Sequence, residues 1–254
     1  MKTPIDRRQF SIGATAAAAL AAITGKPVGA AAGDVSDDRI SALVKELKTG
    51  QACQEVTNLM ARFMAARNYR QPEDILACFA LDQPDVSWEF ADEGVFKGPA
   101  AVTQIIKETY GPPKAGEMTR QNLSTPAIEV AADLKTAKGF WRAPGFGVIP
   151  TAETLPVPIW AWDQIAADFI TDGSLWKIWH GHAFTLIKCN YHESWADDVT
   201  LINRPNVPLH PLSTFRTYHN PYSPLSMRES IPAVPIPYET WTDSNWMLER
   251  DKSK

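Results

Sequence analysis

The stretch Ile159–Trp195, IWAWDQIAADFITDGSLWKIWHGHAFTLIKCNYHESW, decides the fold. It reads as two long strands joined by a turn at Asp172-Gly173-Ser174. Trp, Ile and Phe suit a half-buried pleated surface, and Asp-Gly is a turn dipeptide. Side chains alternate along a strand, so Trp176, Ile178, His180 and His182 are expected on one face. That face starts apolar and ends polar, which suggests a core grading into a pocket.

The chain around this hairpin has 254 residues, 44% of them hydrophobic, enough for one sizeable core. Its net charge of -4 gives no footprint for nucleic acid. Asp6-Arg7-Arg8-Gln9-Phe10, the apolar run Ser11 to Ile23 and the small residues after Val28 read as a twin-arginine signal over 1–32. The run is too short to span a bilayer comfortably, so a periplasmic mature protein is expected. Cys53, Cys78 and Cys189 form an odd set without metal spacing and are read as buried thiols. A Cys53–Cys78 bridge stays open.

Residues 33–50 read as an N-terminal amphipathic helix and linker. In the next helix, Ala52 to Tyr69, the residues Val56, Leu59, Met60, Phe63 and Met64 form an apolar stripe that Arg67 continues. Pro72 restarts a second helix, running to about Phe79. Strands are expected at 86–90 and 93–98, a helix at 100–110, and strands at 124–130 and 136–143. Residues 144–158, rich in Pro and Gly, read as a loop. Eight prolines between Pro205 and Pro237 prevent regular structure in residues 201–254, yet aromatics persist there. That region reads as an ordered arm packed on its own domain or on another subunit.

Helix, helix, short strands, helix and long antiparallel strands is the order of an α+β cone. The paired helices 52–79, VSWEFADEGVFKG leading into AAVTQIIKETY, STPAIEVAADLKTAKGFW and AADFITDGSLWKIWH resemble the nuclear transport factor 2-like superfamily, in its SnoaL-like branch. The resemblance implies one cone domain over 51–200, a curved antiparallel sheet wrapped around helices. TPAIEVAADLKTAKGFW, DGSLWKIWH and the tail motif Pro237-Tyr238-Glu239-Thr240-Trp241 together resemble a sub-branch of cofactor-independent lyases, which release formaldehyde from lignin-derived aromatic dimers. This implies a small aromatic substrate, no cofactor and a homo-oligomer. Dehydratases of the superfamily often carry a Tyr and, five residues later, an Asp in the first helix. Phe63 and Asn68 stand at those positions here, so the carboxylate base is absent there.

Histidine exchanges protons near neutral pH, which makes His180 the candidate base and His182 its neighbour in the pocket. The His-Gly-His spacing also suits a metal or plain core histidines, but no carboxylate is obviously placed to complete a metal site. Asp168 on the facing strand is the candidate to orient a histidine, with Asp163 on the opposite face and Glu89 weaker. Arg67 and Tyr69 are expected to stabilise charge on a substrate oxygen, and Asn68 to donate to it. Phe63, Trp88, Trp141 and Trp162 are expected to line an aromatic slot, with an outward-facing interface as the alternative for the indoles.

Overall fold

A computed structural model describes residues 37–90, 93–149, 156–196, 209–214 and 221–243. The stretch read as a twin-arginine signal, 1–32, and the last residues, 244–254, lie outside the described residues. Intrachain contacts divide the chain after Lys45, and residues from Glu46 onward form one compact unit.

Helix α1 spans Asp37–Tyr69 without a break, where the sequence suggests a separate helix ending at Gly50. An isolated glycine costs about 1 kcal/mol relative to alanine, which does not stop a helix in which no proline intervenes. Asp37 and Asp38 in the first turn and Arg67 in the last complement the helix dipole. The helix ends where Arg70 turns left-handed, at φ 55°. Arg70 N then donates to Arg67 O and Gln71 N to Ala66 O, which satisfies carbonyls of the last turn. Pro72 opens the short helix α2, Pro72–Leu76. The stripe Val56, Leu59, Met60, Phe63 and Met64 is buried as expected. No described helix is long and apolar enough to cross a membrane.

The remaining elements are β1 (Ser87–Phe90), β2 (Gly94–Lys97), α3 (Pro99–Thr109), β3 (Met118–Gln121), β4 (Ser124–Val130), β5 (Thr136–Ile149), β6 (Val157–Thr171), β7 (Trp176–Asn190) and β8 (Ser213–Thr214). The sheet runs β3-β5-β6-β7-β1-β2-β8, with β4 also on β5. It is unclosed, and among its described pairings only β1–β7 is parallel. This is the α+β arrangement that the resemblance implies. The β6–β7 turn is held by Asp172 Oδ1, which accepts from Ser174 Oγ, Ser174 N and Leu175 N. These bonds, the Ser174 hydroxyl first, hold the Asp172 carboxyl down at about 2.

Two strands depart from the sequence reading. β5 continues through Pro144 to Ile149, across the first six residues of the expected loop, and β3 has no counterpart among the expected strands. The residues that suggest a loop are those that let β3 approach. A Cβ at Gly145 would lie 2.4 Å from Gln121 Cγ, and one at Gly147 would lie 2.8 Å from Met118 O.

Trp88 is the hub of the core between helices and sheet. Its ring lies 5.1 Å from Phe63, 5.6 Å from Phe79 and 6.1 Å from Phe90, centroid to centroid. The indole occupies the place left by Gly181 on the neighbouring strand, where a Cβ would fall 2.3 Å from Trp88 Cζ3. Gly139 makes the same room for Trp141. Overpacking a rigid buried ring costs about 1–3 kcal/mol. Gly181→Ala is therefore expected to lower the unfolding free energy in urea by that amount with an unchanged m-value; an unchanged midpoint would refute the slot.

Candidate active site

The two faces of the sheet carry separate sets of polar residues. Trp88 points at α1, so its neighbours Ser87 and Glu89 point away. Parallel pairing sets His180 beside Ser87 and His182 beside Glu89. The β6–β7 register agrees: Phe169 pairs with Ile178, but Asp168 pairs with His180. Trp179 is thus an extra residue, a bulge that reverses the alternation. Trp176 and Ile178 face the helices while His180 and His182 face the other way. The expectation of one common face does not hold, because a period of two survives only in an unbulged strand.

On this outer face His180 and Asp168 do meet, with Nδ1 3.3 Å from Oδ2. His180 Nε2 lies 3.6 Å from Asp85, whose other oxygen accepts from Trp179 Nε1 at 2.8 Å. His182 pairs with Glu89 at 3.3 Å and stacks on Phe184. Lys138 sits opposite Asp168; burial lowers the ammonium pKa and Asp168 opposes that shift. The C-terminal segment covers the cluster. Trp241 stands 4.5 Å from Trp179 and 5.6 Å from His180, and the Tyr238 ring lies 4.5 Å from Lys138 Nζ. Ala132 N and Asp133 N donate to Tyr238 O and Glu239 O, and Thr240 Oγ1 donates to Asp133. Each imidazole here has a carboxylate beside it, and Asp168 stands opposite the Lys138 ammonium. Among the described residues, no three His, Cys, Asp or Glu side chains are grouped to hold a metal ion.

The inner face holds a different cluster. Asp163 lies on β6 in line with Ile165, Ala167 and Phe169, which belong to the core. Its Oδ2 accepts from Gln121 Nε2 at 2.6 Å. Arg67, the last member of the α1 stripe, donates from Nε to Tyr110 OH at 2.7 Å, and its guanidinium stands 5.6 Å from the Phe63 ring. Asn68 clamps the Gln121 backbone with two bonds, Nδ2 to O at 2.8 Å and N to Oδ1 at 3.0 Å. Burial pushes the Asp163 carboxyl up, against Gln121, Arg67, Thr185 and Lys188. Burial likewise raises Tyr110, against Arg67. Arg67 Nη1 and Asp163 Oδ1 are buried without a hydrogen-bond partner among the described residues. A protonatable acid, a phenol and a fixed cation in one water-poor interior can move a proton and steady charge on oxygen.

Of the residues singled out from sequence, Arg67, Phe63, Trp88 and Trp141 lie on this inner side, and Asn68 supports it through Gln121. His180, His182 and Asp168 lie across the sheet. Tyr69 is 63% exposed, with the Arg120 guanidinium 4.8 Å from its ring. Trp162 is 44% exposed and shares an open groove of about 420 Å³ with Phe146, Trp160 and Trp195. Neither reaches the inner cluster, because α1 ends at Tyr69 and the even-numbered residues of β6 face outward. Tyr110 and Gln121 are not among the candidates drawn from sequence. Tyr110 carries a signal, since it follows Val102 and Ile106 at helical spacing; Gln121, in a short polar strand, carries none.

The model of the SnoaL-like domain matches residues 51–182, more than half of the chain. The chain belongs to the SnoaL-like family. No curated protein matches it. Among solved structures, this SnoaL-like protein is similar to a putative scytalone dehydratase from Novosphingobium aromaticivorans, at 16% identity and TM-score 0.46, over 58% of this chain and 92% of that one. It is also similar to a type 2 hexachlorocyclohexane dehydrochlorinase, at 13% identity and TM-score 0.49, over 59% and 95%. A third is a putative dehydratase of the NTF2-like family from Streptomyces avermitilis, at 16% identity and TM-score 0.46, over 53% and 96%.

The raised Asp163 carboxyl has a consequence for stability. Folding favours its protonated form, so this contribution is full below the unfolded carboxyl pKa and is lost as pH rises through the folded value. Asp163→Asn stays neutral throughout. It is expected to raise Tm near pH 7, with a gain in stability on the order of 1 kcal/mol, and the gain should vanish towards pH 4. A gain independent of pH in thermal denaturation would show that Asp163 titrates normally.

Proposed function

We propose that this SnoaL-like protein is a cofactor-independent lyase acting on a bulky hydroxylated aromatic compound, and that its reaction is deformylation of a diaryl propanediol. The observation that carries this reading is Asp163, a buried carboxyl held above its usual range. It lies near the guanidinium of Arg67, which donates to the Tyr110 hydroxyl. Acid–base catalysis is most effective when the group's pKa lies near the working pH, and burial is the means by which carboxyls are brought there. Phe63, Trp88 and Trp141 lie on the same inner side and supply the apolar, ring-bearing core that an aromatic substrate would have to enter. The segments Thr125–Trp141 and Asp172–His180 and the tail motif Pro237–Trp241 support the lyase sub-branch by resemblance.

In this reading Asp163 takes the proton from the primary hydroxyl. The bond to the adjacent carbon breaks and formaldehyde leaves. The electron pair forms the new carbon–carbon double bond and expels the neighbouring hydroxyl, to which Asp163 returns the proton, so water departs and a stilbene remains. Arg67 and Tyr110 hold the charge that develops on oxygen. Asn68 is a positioning residue, acting through Gln121 on Asp163. His180 and Asp168, the pair expected to do this chemistry, keep a structural role on the covered face. Export by the twin-arginine route to the periplasm and assembly as a homo-oligomer belong to the same proposal and rest on the sequence.

The test is a product screen of purified protein with diaryl propane-1,3-diols. Equal amounts of formaldehyde and stilbene are expected, with Asp163→Asn lowering kcat/KM by about 10²–10⁴ and His180→Ala leaving the chemistry intact. Water loss with all carbons retained would instead make the protein a dehydratase. Binding in a calorimeter without turnover would make it a non-catalytic binder of aromatics.

A further inference from the structure

The first turns of α1 carry an apolar stripe that none of the described residues covers. Ile40, Leu43, Val44 and Leu47 follow the i, i+3, i+4, i+7 spacing of a helix face, and they are 48%, 55%, 44% and 62% exposed. Further along the same helix that spacing marks residues buried in the core. A four-residue aliphatic face kept in water is uncommon unless something docks on it.

The charges beside the stripe say what fits. At 100° per residue, Arg39 and Glu46 lie along one flank and Asp37 and Lys48 along the other. Two copies of this segment laid antiparallel, with their stripes centred on each other, place Ile40 opposite Leu47 and Leu43 opposite Val44. In that arrangement each flank meets the same flank of the second chain. Arg39 then faces the second copy's Glu46, and Asp37 faces its Lys48, each contact made twice by symmetry. The antiparallel sense also opposes the two helix dipoles favourably.

We propose that α1 is a self-association surface, on which residues 37–48 of two copies pair as antiparallel helices. The pair needs no other part of the chain and does not depend on the reaction proposed above. Its small area makes it an exchanging contact, so mass falls on dilution.

Sedimentation velocity of the purified protein over a dilution series tests it. Leu43→Glu is expected to reduce the weight-average mass about twofold at concentrations where the wild type is saturated, with an unchanged circular dichroism spectrum. Arg39→Glu and Glu46→Arg are each expected to weaken association about tenfold, and the double variant to restore it. Restoration separates the antiparallel pair from a parallel one, in which the swapped residues would face Asp37 and Lys48 and repel. The proposal falls if Leu43→Glu leaves the mass unchanged or if the double variant is no stronger than the single ones. It also falls if the wild type is monomeric and Leu43 is needed for adsorption to anionic vesicles.

Discussion

One extra residue in β7 governs how this protein is organised. Because Trp179 bulges between Ile178 and His180, the apolar start of the strand faces the helices while its histidines face away. The sheet therefore has two inhabited sides. One is packed by α1 and centred on Trp88 in the gap above Gly181. The other is closed by the segment Tyr238–Trp241, which hydrogen bonds to the β4–β5 turn through backbone groups. A sheet buried on both sides cannot simply alternate apolar and polar residues. Polar and ionisable groups on the second side have to find partners where they stand, which explains why Lys138, Asp168, His180, Glu89 and His182 occur together there.

The two clusters use similar residues to different ends. On the outer side each histidine meets a carboxylate, Lys138 has both Asp168 and the Tyr238 ring, and the surroundings are closed by indoles. Such a network fixes a structure. On the inner side the connections are of another kind. Gln121 donates to one oxygen of Asp163, Arg67 donates to Tyr110, and each of the two charged groups keeps a buried polar atom without a partner among the described residues. In a low-dielectric interior a network left open in this way is costly to the fold, and it is the kind of arrangement that an oxygenated ligand completes. The proposed reaction draws on that openness.

Much of the architecture is legible in the sequence. The stripe from Val56 to Met64, the Asp172-Gly173 turn, the proline starts of α2 and α3 and the long hairpin all follow from local rules that tertiary packing reinforces. What the sequence hides, it hides for identifiable reasons. Pro144, Gly145 and Gly147 read as a loop because their meaning depends on a neighbouring strand that has no pattern of its own. The faces of β7 are misassigned from sequence because a bulge leaves no local signature; Trp179 looks like any strand tryptophan. Arg67 stands out, since it continues a periodic stripe, while Asn68 draws attention without revealing its task. Asp163 is visible as a lone carboxylate among Ile165, Ala167 and Phe169, but its weight depends on Gln121 and Tyr110, which come from distant parts of the chain.

The position of the outer cover in the chain has a bearing on how the protein is made. Residues Tyr238–Trp241 leave the ribosome well after the strands that they shield. Until then Lys138, Asp168 and His180 stay hydrated on an open sheet face, and the nascent protein displays its charged side. Completion of the domain thus waits for this segment, and a product interrupted before Tyr238 keeps one wet face that distinguishes it from the covered one.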